Sequence, residues 1–493
     1  MKKTPSIKRN YLFNLAVTVI NVGYPIVSFA YIARILGPQV YGSVVFAGSF
    51  AAYFALVACL GLPVYGSREI ARVRDDPRRL DTLYSELLLI NALSSVFFFL
   101  CYLGLFFFVH KIQQDVPLFA LFSLSIILNA FSIDWLFQGL ENYAIIALRN
   151  FIFRSLSLIL IFVFIHNKSD YLQFAAISVI STLGTNVMNV IASRKYVRLS
   201  FSGLDVRRHI RPLLAIAGTV VMVSVYSNFD NVLLGFLADD THVGYYSAAA
   251  RIVRIVVYCV TAIGAVVIPR YSYYIEKRMH EEYDMLAKKS IRLMYLLACP
   301  AMVGLFILAP TIVHVLAGSQ FSHAIPTLRI IVPIIIIIGL SNYIGWQVLF
   351  PKGKELLLFF ATSCAALVDI VLNLVLVGHF KNNGTALALV AAETTVLIIV
   401  VVRGWKLIPG SLFDRHGLLY VSSSVVMGTA VFFVKQIFYA PLLQLCAGTV
   451  AGIMLYAGML LLFKDSLLID TAIAGMAKIR HLYHQQISDQ IEL

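Results

Sequence analysis

Five ionisable side chains lie deep inside apolar sequence: Asp230, Arg251, Arg254, Asp369 and Glu393. The first three flank a polar turn, Ala238 to Val243, within NFDNVLLGFLADDTHVGYYSAAARIVRIVV. Asp230 lies eight residues before the turn and Arg251 eight after it, which on two helical arms puts both ~12 Å from its end. Arg254 falls one turn deeper on nearly the same face. A charge at such depth in hydrocarbon costs about 3 kcal/mol even on the mildest scale, so it must pair or face internal water. The plain alternative is an Asp230–Arg251 ion pair that only pins the arms together. One carboxylate cannot neutralise two guanidinium groups, however, so a positive patch remains, and it calls for an anionic ligand.

The other two residues carry the opposite sign. Asp369 and Glu393 flank the turn Gly378 to Asn383 at nine and ten residues, a shared depth of ~14 Å on helices. Two nearby acids in hydrocarbon do not readily ionise together, which points to a proton or sodium site. Satisfaction by Thr394, Asn373 and water is the structural alternative. Arg149 and Arg154 enter the fifth apolar segment, where Arg154 reaches far enough for an internal cavity, and Arg34 lies one turn from a segment end, within snorkelling reach of the headgroups. Asp134 beside Trp135 reads as an interfacial anchor. Asn129, Asn186 and Asn189 read as links between helices. The set for an anionic ligand is therefore Arg251, Arg254, Arg154, Arg149 and Arg34, with Asp369, Glu393 and Asp230 as ion-coupling candidates.

The elements that position these groups follow from composition. Sixty per cent of the 493 residues are hydrophobic, 13% are charged and the mean hydropathy is +0.85, far from the roughly 25% charged content of a soluble domain. Segments of about 20 apolar residues, the length that spans a ~30 Å hydrocarbon core, recur from 11–33 to 442–463. Fourteen are expected, including 213–237, 244–268, 356–377 and 384–402, so the fold class is an all-α integral membrane protein. The first segment lacks a cleavage pattern and reads as a retained helix.

Basic residues alternate between the loops. Lys2 to Arg9, Arg68 to Arg79, Arg194 to Arg211 and Arg270 to Arg292 gather on one side, while the intervening turns hold almost none. The positive-inside rule then puts both termini in the cytoplasm. The net charge of +14 is thus topological and suited to anionic headgroups, and nucleic-acid binding is not implied. The six cysteines fall in or beside apolar segments without paired spacing. Asp239, Asp240 and His242 read as a solvated turn, so neither a metal nor a cofactor is expected.

The chain also repeats itself. ILGPQVYGSVVFAGS at Ile35 to Ser49 and FLADDTHVGYYSAAA at Phe236 to Ala250 occupy equivalent turns, and aligning Gly42 with Gly244 also carries Arg68 onto Arg270, an offset of 202 residues. Six segments separate the copies, so both run in the same direction through the membrane. Parallel repeats of this kind build transporters that rock two bundles about a midplane site. The expected organisation is an N-lobe over 1–192 with six helices, a cytoplasmic linker over 193–212, a C-lobe over 213–402 with six more, two further helices over 403–463 and an amphipathic cytoplasmic tail over 464–493. The two lobes would be related by a pseudo-two-fold axis.

The LG-x-x-x-YG turn after the first helix, YGSREIAR at Tyr65 to Arg72 and DNVLLGFLADDTHVGYYSAAARI at Asp230 to Ile252 resemble the polysaccharide or O-antigen (Wzx-type) flippases of the multidrug, oligosaccharidyl-lipid and polysaccharide exporter superfamily. The resemblance runs from the first helix to about the twelfth. It implies alternating access and movement of an undecaprenyl-pyrophosphate-linked oligosaccharide from the inner to the outer leaflet of the bacterial cytoplasmic membrane, with an opposing proton or sodium gradient. Membrane lipids and the polysaccharide polymerase and chain-length machinery are the implied partners, and no enzyme activity is implied. The alternatives are a cation-coupled multidrug exporter of the same superfamily, whose cavity would be acidic or aromatic, and a membrane-embedded polymerase. The polymerase would need a substantial aqueous loop for its acids and bases, and no external loop exceeds about a dozen residues.

Overall fold

A computed structural model describes residues 7–200 and 203–469, which are helical almost throughout, with no strand among them. In chain order the helices are α1 Ile7–Ala58, α2 Leu62–Val73, α3 Pro77–Gly104, α4 His110–Gln113, α5 Val116–Leu128, α6 Asp134–Gly139, α7 Tyr143–Phe164, α8 Tyr171–Ser193, α9 Arg207–Asn228, α10 Asp230–Leu237, α11 Asp240–Glu276 and α12 His280–Leu316. They continue with α13 Ala324–Ile331, α14 Ile334–Asn342, α15 Glu355–Gly404, α16 Arg415–Ile437 and α17 Pro441–Leu462. The tail expected to be amphipathic through Ile473, Met476, Ile479 and Leu482 lies outside the described residues.

Local chemistry sets many of these boundaries. Asp76 caps α3 by accepting from the Arg78 and Arg79 N–H groups, with Pro77 in the first turn, where its missing N–H costs nothing. Asp115 caps α5 and Asp414 caps α16 in the same way. Eleven helical stretches among the described residues are long and apolar enough to cross a membrane. Two of them are double: the helix breaks at Gly37, with φ 71°, and at Lys381, with φ 49°, and each break joins two of the expected segments. The expected seventh segment, 213–237, is covered by α9 and α10, which part at Phe229. Large apolar side chains such as Phe108, Tyr439 and Met454 are exposed, the pattern of a surface solvated by lipid tails.

The chain forms two compact units. The first comprises the residues up to Ala248 together with Leu316–His323 and Ala366–Ala388; the second comprises Ala249–Val315, Ala324–Ala365 and the chain from Leu389. In the first, Leu62, Ile70, Leu83, Trp135, Phe137 and Leu213 belong to a core that joins α2, α3, α6 and α9. Asparagines link its helices: Asn129 donates to the Ala55 carbonyl at 3.1 Å, Asn91 to the Asn129 carbonyl at 2.9 Å and Asn186 to the Leu128 carbonyl at 2.8 Å. In the second, α16 and α17 are tied to α12 through Arg292–Asp414 at 2.7 Å, Thr311–Gln444 at 3.1 Å and the Tyr456 hydroxyl on the Leu296 carbonyl at 3.2 Å. The two terminal helices are therefore integral to that unit.

Candidate functional site

Two buried acids, Asp230 and Asp369, form a network within the first unit. Asp230 opens α10 directly after Phe229, whose backbone stays in the right-handed helical region at φ −71° and ψ −18°. Asp230 is 3% exposed and accepts the Tyr246 hydroxyl from α11. Asn373 of α15, fully buried, extends its amide N–H groups to Asp230 at 3.3 Å, to the Asp369 carboxylate at 3.2 Å and to the Asp369 carbonyl at 3.0 Å. Asp369 is itself 1% exposed. One amide thus bridges two carboxyl groups that the sequence separates by 139 positions. The Asn373 Oδ1 atom is buried and has no hydrogen-bond partner among the described residues. Clustered oxygens with one acceptor unmet can hold a proton or a small hard cation. Sequence reasoning paired Asp369 with Glu393 and missed the bridge to Asp230, as well as Tyr246.

The remaining expected residues divide between the units. Arg251 and Arg254 of α11 and Glu393 of α15 belong to the second and are each half-buried. In the first, Arg154 of α7 is half-buried and Arg34 of α1 is exposed. Arg149 is 1% exposed and its planar fork is committed: it bonds both carboxylate oxygens of Asp134, at 2.7 and 3.0 Å, and the side-chain oxygen of Asn189. Asn189 returns a bond to Asp134 at 2.8 Å. This bidentate clamp joins α6, α7 and α8, and it gives the Asp134 anchor a definite partner.

The two repeated turns meet in the first unit. A Cβ placed on Gly42 would fall 1.7 Å from the Asp240 carbonyl oxygen and 2.7 Å from the Gly244 nitrogen, and one placed on Gly244 would fall 2.1 Å from the Pro38 carbonyl oxygen. Only glycine permits backbones to approach this closely. Around the contact, Lys111 donates to the Gly235 carbonyl at 2.6 Å and pairs with Asp240 at 2.9 Å, while Phe46 packs on Phe236. Asp239 caps α11 by accepting the His242 N–H at 3.1 Å. Burial pushes the Asp239 carboxyl up, but its bonds with His242 outweigh that and hold it below the usual carboxylate range. Equivalent positions of the duplication thus form a clasp. The sequence showed the equivalence but not the contact.

The second unit carries an apolar groove of about 660 Å³ between α12, the start of α14 and α16, lined by Met302, Phe306, Ile307, Pro333, Phe432 and other apolar residues.

Family comparison gives these features their setting. The model of a family described as "Polysaccharide biosynthesis protein" matches residues 7–275. The chain belongs to that family. A second model, MatE, matches residues 215–375. This polysaccharide biosynthesis family member is 24% identical over 408 residues to a protein of Escherichia coli (strain K12) named "Putative O-antigen transporter", covering 82% of this chain and 98% of that one. It is 27% identical over 241 residues to a Haloferax volcanii protein named "Probable low-salt glycan biosynthesis flippase Agl15", covering 48% of this chain and 51% of that one. Among solved structures it resembles the "Lipid II flippase MurJ, inward closed conformation", with a TM-score of 0.76, 16% identity and coverage of 93% and 100%. At that identity the likeness concerns the fold. The chain is a multi-pass membrane protein, and its named relatives are transporters and flippases, not enzymes.

Proposed function

We propose that this chain flips an oligosaccharide linked to undecaprenyl pyrophosphate, an O-antigen or other surface-polysaccharide repeat unit, from the cytoplasmic to the outer leaflet of the bacterial cytoplasmic membrane. Both termini lie in the cytoplasm under this reading, because the basic loops stay on that side. The observation that carries it is the pair of half-buried guanidinium groups, Arg251 and Arg254, within the apolar helix α11. A planar fork of donors at that depth suits pyrophosphate oxygens, and relatives named for glycan transport supply the context. Arg154 and Arg34 are accessory cations, and Arg149 contributes by holding its clamp. The apolar groove has the volume and lining for part of a polyprenyl chain.

Movement follows by alternating access between lobes 1–192 and 213–402, with the Gly42–Gly244 clasp as the outer closure. Coupling runs through the acids. A proton or sodium ion held by Asp369, Asp230 and Asn373, with Glu393 on the return limb of α15, favours one arrangement of the lobes over the other, as coupling requires. The flipped product would pass to the polymerase and chain-length machinery.

Deletion of the gene tests the proposal: undecaprenyl-linked oligosaccharide should accumulate on the inner leaflet and surface polysaccharide should fall. The MatE match over 215–375 favours a second reading, export of cationic drugs. Sensitivity to cationic dyes with unchanged surface polysaccharide would establish it instead.

A further inference from the structure

YGSREIAR, the motif at Tyr65 to Arg72, plays no part in the cavity and coupling sites described above. In the first unit it lines a cavity of about 650 Å³ with residues from three other segments: Tyr65 and Glu69 from α2, Arg78, Arg79 and Thr82 from the start of α3, Gly203 from the loop before α9, and Arg208 and His209 from α9. The cavity lies among the basic loops that mark one end of the helices.

A buried carboxylate organises its wall. Glu86 of α3 is fully buried, and its Oε2 atom bonds Arg208 at 2.5 Å and His209 at 2.9 Å, while Oε1 accepts the Asp205 N–H at 2.7 Å. The other ring nitrogen of His209 meets the Tyr65 hydroxyl at 2.7 Å. Glu86 therefore fixes the Arg208 and His209 side chains in place at the start of α9. At the rim, Glu69 is occupied by Arg68 and Arg72, and Arg79 leans on Asp76 at 3.3 Å. The guanidinium of Arg78 has no acidic partner among the described residues. Three guanidinium groups thus face one cavity whose only lining acid, Glu69, is already shared between two other arginines.

We infer that this cavity is a binding site for a phosphate-bearing group, with Arg78, Arg79 and Arg208 as the phosphate ligands and His209 and Tyr65 as the positioned wall. The volume exceeds what a single phosphate needs and suits a diphosphate or a headgroup joined to one. Two sources share that chemistry: the diphosphate of a lipid-linked substrate, captured before it is flipped, and the phosphate of an anionic membrane lipid bound as a resident ligand. The first rests on the flippase reading; the cavity's preference for phosphate does not.

The test uses the full-length protein in nanodiscs of zwitterionic phosphatidylcholine, with inorganic pyrophosphate as the probe and calorimetry as the readout. The expected result is saturable binding that weakens about tenfold when either Arg78→Gln or Arg79→Gln removes a charge-assisted pair. Both residues are exposed and outside the Glu86 network, so unfolding is not the expected cause, and an unchanged melting temperature verifies this. Arg208→Lys serves as a third variant that keeps the charge on Glu86 but loses the fork. Competition by undecaprenyl pyrophosphate placed in the disc assigns the site to the substrate; competition by phosphatidylglycerol assigns it to resident lipid. Pyrophosphate binding no stronger in the parent than in Arg78→Gln/Arg79→Gln overturns the inference. If that same parent flips lipid-linked oligosaccharide in proteoliposomes, the flippase reading stands and only this site falls.

Discussion

Gly244→Ala should open the clasp without harming the helix that carries it. Gly244 lies within α11, and alanine is the better helix former by about 1 kcal/mol, so the local backbone gains. The added methyl would lie 2.1 Å from the Pro38 carbonyl oxygen, roughly 1 Å inside the closest approach such atoms make. The obstacle is backbone and cannot rotate away, which puts the cost near the upper end of the overpacking range, about 3 kcal/mol. A penalty confined to the clasped state shifts an equilibrium between closed and open forms by roughly a hundredfold. Gly42→Ala, at 1.7 Å from the Asp240 carbonyl oxygen, should act at least as strongly. The assay is a distance distribution between spin labels at Gln39 and Leu237, both exposed beside the clasp, with the six native cysteines replaced. The parent should give a short distance and Gly244→Ala a population at longer distance, with helix content unchanged. An identical distribution in parent and variant would refute the argument from close approach.

Three further outcomes follow. Asp134→Ala strands the buried Arg149 guanidinium without a carboxylate, with only the neutral side chains of Asn189 and Asn150 as partners among the described residues, and should cost about 3 kcal/mol or more, read as lost membrane abundance; abundance should return in Asp134→Leu/Arg149→Met, and transport with it if the clamp is Arg149's whole role. Asp369→Asn and Glu393→Gln should leave insertion and lipid-linked sugar binding intact but weaken the response of flipping to an imposed proton or sodium gradient, and a parental response in both would make these acids structural. Asp414→Ala should lower Tm at neutral pH by the equivalent of about 1 kcal/mol, mostly from the lost cap, since the half-exposed ion pair adds little. Burial raises the Asp414 carboxyl, but the Gly417 N–H and Arg292 outweigh it and hold it below the usual range. Its stabilisation is therefore present at neutral pH and lost as pH falls through that lowered value, so the gap in Tm should close below about pH 4.

The membrane-spanning segments were legible because a ~30 Å apolar solvent writes itself into runs of about 20 residues. The hairpin breaks at Gly37 and Lys381 fall where the polar turns predicted them. Shielding from solvent was legible too: Asp230 and Asp369, set well away from their turns in the sequence, are both buried. Lateral position was not. The sequence says how far Asp369 lies from its turn, but not which neighbour its helix faces, and the Asn373 bridge to Asp230 depends on that rotation. The same limit hid the Arg149 clamp, whose partners lie 15 residues before and 40 after it, and the Glu86–His209 contact across 123 residues. The duplication revealed that Gly42 and Gly244 are equivalent, whereas their mutual contact is a property of packing.

The proposed flippase role rests on Arg251 and Arg254 carrying a pyrophosphate-linked glycan across the membrane. Its most direct test is flipping of a fluorescent undecaprenyl-pyrophosphate oligosaccharide in proteoliposomes, comparing the parent with Arg251→Gln/Arg254→Gln at matched protein incorporation. The parent should flip the lipid in a gradient-responsive way, and the double variant should lose most of that flipping. Arg251→Lys/Arg254→Lys should recover only part, because an ammonium lacks the fork. Parental rates in the double Gln variant would contradict it.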